Sequence, residues 1–297
     1  MSINYYHGHK MLKFFSLLRI IITTPIVFVA IVFVLCLVVL IPNFKFRRFI
    51  EISYFKFSLW LMNFRYKING KIQDNRIIIA ANHASYIDIL LCHVLFSGSF
   101  IAKKELKKWP LWGWGAALLR TIFIERIGIS ALDSFLKVGK EALDKKMNII
   151  LFPEGTTSNK PLKSFRIGAF RLSTNCNAKI IPVIFNYQNI EEIAWINSMR
   201  FIPHLLRMLG GFKMRRVTLT VLEKLDPANF ENDKQMRDFT RKLMQRVIDD
   251  ESLQKENVTL NEIFDTKAKS QKELVETFIN KKYRIQPDNF FHTYFLE

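Results

Sequence analysis

Cysteine is scarce in this 297-residue chain: Cys36, Cys92 and Cys176 stand far apart. No C-x-x-C pair or Cys/His spacing of a metal site is present, so a zinc module and a disulfide scaffold are excluded and no bound metal is expected. The three thiols read as small buried hydrophobes. Glycine and proline are also few, 11 and 9 against 27 phenylalanines, which excludes collagen-like repeats and low-complexity linkers. Acidic residues are the other shortage. Twenty-six Asp and Glu face 44 Lys and Arg, for a formal net charge of +18. The excess is confined: residues 1–99 carry +8, residues 100–220 carry +12, and residues 221–297 carry −2. A field of that sign attracts nucleic acid, an anionic membrane or phosphorylated substrates. No helix-turn-helix, zinc-finger or RRM signature is present to read a nucleic acid, so no nucleic-acid partner is expected.

What the chain does have is apolar length. Residues 20–41 contain no charge and as a helix cover about 33 Å, enough for a hydrocarbon core of about 30 Å. Pro25 predicts a kink near the start. The run is longer than a signal-peptide core of about 7–15 residues, and Pro42-Asn43-Phe44 after it is no cleavage site. Lys10, Lys13 and Arg19 precede the run, and Lys45, Arg47 and Arg48 follow it. The richer downstream flank puts the bulk of the chain in the cytoplasm; a kinked helical hairpin entering one leaflet fits the flanks equally. Residues 45–65 mix aromatics with cations and read as an interfacial helix, with Trp60 and Tyr54 dipped into the bilayer.

Beyond residue 65, short β-rich runs alternate with helical patterns. Strands are expected at 76–81, 100–102, 121–125, 148–152, 179–185 and 217–222. Helices are expected at 85–95, capped by Ser85, at 130–146, capped by Ser130, and at 165–173. This predicts an α/β domain, a mostly parallel sheet flanked by helices, preceded by an N-terminal membrane helix or helical hairpin. Residues 190–212 break the rhythm and read as a mobile lid or a core-covering helix. Residues 231–280 read as charged helices with a weak apolar stripe. The resulting division is an anchor at 1–65, an α/β domain at 66–225 and a helical extension at 226–297.

Four short motifs carry candidate chemistry. In Asn82-His83-Ala84-Ser85-Tyr86-Ile87-Asp88, a histidine and an aspartate five apart diverge by about 140° on a regular helix. They meet only if His83 lies in the preceding loop and Asp88 in the first turn, the geometry a Ser85 cap predicts. His83 then suits a general base and Asp88 its orienting carboxylate. Taken alone, Ser85-x-x-Asp88 is equally a capping pair. Phe152-Pro153-Glu154-Gly155-Thr156-Thr157-Ser158 ends a buried strand, where open α/β sheets place ligands. There Glu154 suits a substrate hydroxyl, and Gly155 permits close backbone approach. Arg126, after the run Phe123-Ile124-Glu125, suits a phosphate. Ile181-Pro182-Val183 puts a proline in a strand near the rim of the sheet. No G-x-S-x-G nucleophile elbow is present, which favours direct attack by a substrate hydroxyl.

Together, NHASYID, AKKELKKWPLWGWGAALLRTIFIERIG, FPEGTTS with PLKSFRIGAF, and IIPVIF resemble the glycerolipid acyltransferase family over residues 66–222. The resemblance implies transfer of a fatty acyl group from acyl-CoA or acyl-carrier-protein to a lysolipid hydroxyl, with the thioester as co-substrate and no further cofactor. It assigns His83 as the base and Asp88 as its orienter, and puts Arg126, Glu154 and Gly155 on the acceptor, with Lys103 and Lys104 as further phosphate contacts. Thr157 occupies an acceptor-side position that is often arginine in members acting on lysophosphatidic acid. The implied acceptor is 1-acyl-sn-glycerol-3-phosphate; lyso-ornithine lipid, a lysophospholipid, or non-catalytic lipid binding on the same fold are the alternatives. The implied setting is a phospholipid bilayer. Abundant Lys, Asn, Ile and Phe fit an AT-rich bacterial genome, which makes it the bacterial inner membrane with the catalytic domain facing the cytoplasm.

Overall fold

Apolar runs too short to be helices, separated by amphipathic segments, fold into one sheet with helices on both faces. The computed structural model describes residues 2–125, 131–160, 162–196 and 198–283. Helix α1 (Ser2–Leu40) leads into α2 (Phe44–Leu61) across an elbow where Asn43 caps α2, its side chain accepting from the Phe46 N–H at 3.1 Å. Then follow β1 (Phe64–Asn69), β2 (Ile78–Ala81), α3 (Tyr86–Leu95), β3 (Ser99–Lys103), α4 (Trp112–Leu118), β4 (Ile122–Ile124), α5 (Ala131–Asp144), β5 (Ile149–Leu151), α6 (Gly168–Cys176), β6 (Ile180–Tyr187), α7 (Ile190–Ile193), α8 (Phe201–Gly210) and β7 (Arg215–Val221). Helices α9 (Asp233–Asp249), α10 (Leu260–Phe264) and α11 (Gln271–Tyr283) come last.

Among the described residues the strand order is β1-β7-β6-β2-β5-β3-β4, parallel throughout except for the antiparallel β6–β7 pair. A sheet of this kind must be covered on both faces. Ile78, Ala80, Ile149, Leu151, Ile180 and Ile184 pack beneath α5, α6 and α9. Their neighbours Ile79, Ala81, Ile150, Ile181, Val183 and Phe185 pack beneath α2, α3 and α8. The two sets alternate along each strand, as the pleat requires.

Several expectations shift. Pro182 lies in an inner strand rather than near the rim. It is tolerated because β7 ends its pairing at Val221, opposite Val183, and at Pro182 only the carbonyl is used, accepting from Leu222 N–H at 2.9 Å. Helix α6 begins at Gly168, three residues later than expected, because 162–166 is held extended by the motif loop: Arg166 N–H donates to Pro153 O at 2.8 Å. Of the three thiols, Cys92 and Cys176 are buried but Cys36 is exposed on α1. The expected Ser130 cap of α5 lies outside the described residues. Residues 201–210 form a core-covering helix, burying His204, Met208 and Leu209. The C-terminal helices share the main core: Met236, Phe239, Leu243, Met244 and Val247 of α9 are buried with the sheet residues.

Helix α1 continues through Pro25, and its segment Met11–Leu40 contains an 18-residue stretch with a mean hydropathy of 3.0. One stripe, including Thr23 and Val38, faces the body, while Phe14, Ile21, Phe28, Val29, Phe33, Val39 and Leu40 are exposed. Arg19 latches it, donating to Gly211 O at 2.7 Å and Leu61 O at 2.6 Å. On α2, Phe57 and Trp60 are exposed, but Tyr54 turns toward the core beside Phe55 instead of outward.

Candidate active site

The carboxyl ends of β2, β5, β3, β4 and β6 lie along one edge of the sheet, because these strands run parallel. The motifs after β2, β4 and β5 leave the sheet at this edge, while Ile181-Pro182-Val183 lies within β6. Asn82, just past β2, bridges to β6: its Nδ2 donates to Phe185 O at 3.0 Å and its Oδ1 accepts from Phe185 N–H at 2.8 Å. That clamp fixes the loop from which His83 projects.

His83 lies in the loop and Asp88 in the first turn of α3, and the two meet: His83 Nδ1 is 2.8 Å from Asp88 Oδ2. Asp88 is fully buried. The same Oδ2 accepts from Ala84 N–H at 2.7 Å and Ser85 N–H at 2.9 Å, and Oδ1 accepts from the Tyr187 hydroxyl. Ser85 is the N-cap of α3, as expected, and Asp88 closes the capping box on the Ser85 N–H. A carboxylate on Nδ1 fixes that nitrogen as the N–H donor and leaves Nε2 as the acceptor. Nε2 has no protein partner among the described residues. Phe152 stacks flat on the imidazole, with centroids 3.8 Å apart. The N–H groups of Ala84 and Ser85 are committed to Asp88, so this helix start does not offer them to a developing oxyanion.

Glu154 sits behind His83 and is 5% exposed. Its Oε1 accepts from His83 N–H at 2.9 Å and its Oε2 from Lys163 N–H at 3.1 Å. Both oxygens thus hold backbone, where the sequence suggested a grip on substrate. Burial pushes its carboxyl up to about 7 against the pull of these two bonds. Ser158 N–H donates to His83 O at 3.0 Å, a second tie between the motifs. Gly155 has φ +74°, and a Cβ there would stand 2.4 Å from Arg166 Nε. The exposed Arg166 guanidinium therefore lies directly against the motif loop. The Thr157 hydroxyl donates to Trp195 O, joining that loop to the segment before α8.

The remaining predicted residues are more scattered. Lys103 and Lys104 lie at the carboxyl end of β3, on the His83 edge of the sheet, and Lys104 forms an exposed ion pair with Glu125 at 2.6 Å. Arg126 lies outside the described residues. Sequence reasoning missed Tyr187, Asn82 and Arg166. Tyr187 is 99 residues from Asp88, so no local pattern could reveal it. Burial and the neighbouring carboxylate push its hydroxyl well above the usual phenol range. Arg166 was legible only as a cation shortly after the motif.

Residues 63–186 match the Acyltransferase family model. A 1-acyl-sn-glycerol-3-phosphate acyltransferase of Neisseria gonorrhoeae is 32% identical over 114 residues, covering 38% of this chain and 45% of that protein. A lyso-ornithine lipid O-acyltransferase of Rhizobium meliloti is 26% identical over 191 residues, covering 56% of this chain and 64% of the relative. The chain thus matches less than two thirds of the length of either relative. The crystal structure of the 1-acyl-sn-glycerophosphate acyltransferase PlsC from Thermotoga maritima shares the fold, with a TM-score of 0.56 and 24% identity over 80% of this chain and 96% of that one.

Proposed function

We propose, from the match of residues 63–186 to the Acyltransferase family model, that this protein transfers a fatty acyl group from a thioester donor, acyl-CoA or acyl-carrier-protein, to the free hydroxyl of a lysolipid. The observation that carries the reading is the His83–Asp88 pair, with Nε2 unpartnered at the edge of the sheet where the motifs converge. Nε2 takes the acceptor's hydroxyl proton as that oxygen bonds to the thioester carbonyl carbon. Asp88 stabilises the imidazolium that forms. Collapse of the tetrahedral intermediate breaks the C–S bond, and His83 returns the proton to the leaving thiolate, giving an ester and a free thiol. Glu154 and Tyr187 act as positioning residues, the first on the His83 backbone and the second on Asp88.

Arg166 supplies the cation beside Gly155 and contacts the acceptor's anionic group, assisted by Arg126 and the β3 lysines. The acceptor is 1-acyl-sn-glycerol-3-phosphate or lyso-ornithine lipid; Thr157 in place of arginine favours the second, because a phosphate monoester gains most from a guanidinium. The exposed face of α1, with Phe57 and Trp60 of α2, anchors the protein to the bilayer. Lys45, Arg47 and Arg48 hold the body on the cytoplasmic side of a bacterial inner membrane.

The test is the purified full chain in neutral detergent with acyl-CoA or acyl-carrier-protein and each lysolipid, products being read by mass spectrometry. An acylated lysolipid is expected, and His83→Ala should lower kcat by about 10²–10⁴-fold. No product from any pairing, or full activity in His83→Ala, refutes the reading.

A further inference from the structure

At the opposite edge of the sheet, where β3 and β5 begin, lies a cavity of about 220 Å³. It is walled by the first turns of α2, the residue after α4 and the α5–β5 turn. Four cations line it, Arg47, Arg48, Arg120 and Lys146, against the single carboxylate of Glu51. Arg48 already has partners: it donates to His93 O and to Phe96 O, the latter at 2.7 Å, and lies 3.7 Å from Glu51. Arg120 stacks on the Phe44 ring at 4.4 Å. Among the described residues, Arg47 Nε is buried without a hydrogen-bond partner. The Glu51 carboxylate also feels Arg47 and Arg120, but among the described residues no carboxylate comes into ion-pair contact with Arg47, Arg120 or Lys146.

This arrangement is unfavourable as it stands. A buried guanidinium N–H without an acceptor keeps the desolvation penalty and gains no bond in return. The same cations crowd the start of α2, whose first turn holds no acid to offset the positive end of its dipole. A bound anion would relieve both. Arg47 asks for an acceptor oxygen, and the fork of Arg120 with the ammonium of Lys146 suits a phosphate.

The surroundings name the source of that phosphate. Phe44, Phe46 and Phe49 of α2 are 49%, 53% and 63% exposed beside the cations, and the apolar face of α1 ends at Leu40, 75% exposed, immediately before the elbow. Aromatic side chains next to cations, at the end of an apolar helix, match the headgroup level of a bilayer. We infer that this cavity binds the phosphate of an anionic phospholipid headgroup, at a site on the edge of the sheet opposite His83. The inference does not rest on acyl transfer, and its test requires no turnover.

The test uses the full chain in neutral detergent micelles carrying phosphatidylglycerol, with bound lipid measured by native mass spectrometry. Arg120→Gln/Lys146→Gln removes two exposed cations without opening the core, and far-UV circular dichroism should match the parent. Its phosphatidylglycerol affinity should fall roughly 30-fold, from the usual contribution of a cation at an anionic surface. Lys267→Gln/Lys272→Gln, exposed lysines of the α10–α11 loop and of α11, should leave affinity at the parental value. Parental affinity in the first variant, or an equal loss in the second, overturns the inference. A parallel arm titrates inorganic phosphate alone. Phosphate binding that depends on Arg120 and Lys146, with phosphatidylglycerol binding that does not, would assign the cavity to a soluble phosphate ester and overturn the lipid source.

Discussion

Tyr187→Phe is the most direct test of the site, because it deletes one oxygen at constant shape. In the parent, Asp88 Oδ2 receives three donors, Ala84 N–H, Ser85 N–H and His83 Nδ1, while Oδ1 receives only the Tyr187 hydroxyl. Asp88 and Tyr187 are both buried, so water does not readily replace the lost bond. A hydrogen bond to a charged group contributes about 1.5–3 kcal/mol. That is the expected loss of stability, read as a lower Tm in detergent. If the whole loss is felt as His83 becomes cationic, kcat falls by at most about 10- to 100-fold. KM for the lysolipid should not move, because Tyr187 reaches the chemistry only through Asp88. The cycle is completed with Asp88→Asn. The asparagine oxygen can keep the three donors while its Nδ2 turns to the Tyr187 oxygen, so the fold should survive while the charge is lost. In that background, adding Tyr187→Phe should cost about twofold or less, since only a neutral hydrogen bond is removed. An equal cost in both backgrounds refutes action through the carboxylate, and a parental kcat and Tm in Tyr187→Phe refutes the bond itself.

Glu154 makes stability depend on pH. Its carboxyl is raised to about 7 from a usual 4.5, so its contribution is fully present below about pH 4.5 and is lost as pH rises through about 7. The size is about 3 kcal/mol, at about 1.36 kcal/mol per unit. The Tm of the parent should therefore fall between pH 5 and 8 relative to Glu154→Gln; parallel curves would contradict this. Gly155→Ala sets a Cβ against Arg166 at positive φ, at a cost of about 1–2 kcal/mol. Both it and Arg166→Gln should raise KM for an anionic lysolipid, and an unchanged KM in Arg166→Gln would remove Arg166 from the acceptor site. Arg19→Met removes two hydrogen bonds to the carbonyls of Gly211 and Leu61 and should free α1 from the body, read as faster proteolysis at the α1–α2 elbow. Parental protease resistance would show that packing alone holds α1.

Periodicity made the α/β alternation legible because strand burial is a local signal. Runs such as Ile77-Ile78-Ile79-Ala80-Ala81 are apolar on both faces, as inner parallel strands require. In the sequence the C-terminal helices look weakly amphipathic because charge dominates α9. Yet its buried set, Met236, Phe239, Leu243, Met244 and Val247, keeps a helical spacing that a charge count hides. The late start of α6 was not legible. It depends on Pro153 and Glu154 capturing backbone N–H groups of 163 and 166, contacts that no propensity encodes.

The site divides along the same line. That His83 must sit in the loop and Asp88 in the first turn follows from a five-residue spacing, and the 2.8 Å approach has that geometry. Ser85 stands at the N-cap, as the sequence predicts, and Asp88, three residues on, supplies the reciprocal half of the capping box through the Ser85 N–H. That arrangement has a consequence. By accepting from Ala84 and Ser85 as well as from His83, Asp88 orders the start of its own helix and the imidazole together. Glu154 repeats the device on the other side of His83, accepting from the histidine's own N–H and from Lys163. Two buried carboxylates thus fix the imidazole from its ring and from its backbone. Burial, more than lone-pair capacity, is what separates Glu154 from a substrate hydroxyl, and both of its oxygens already hold the backbone that presents His83.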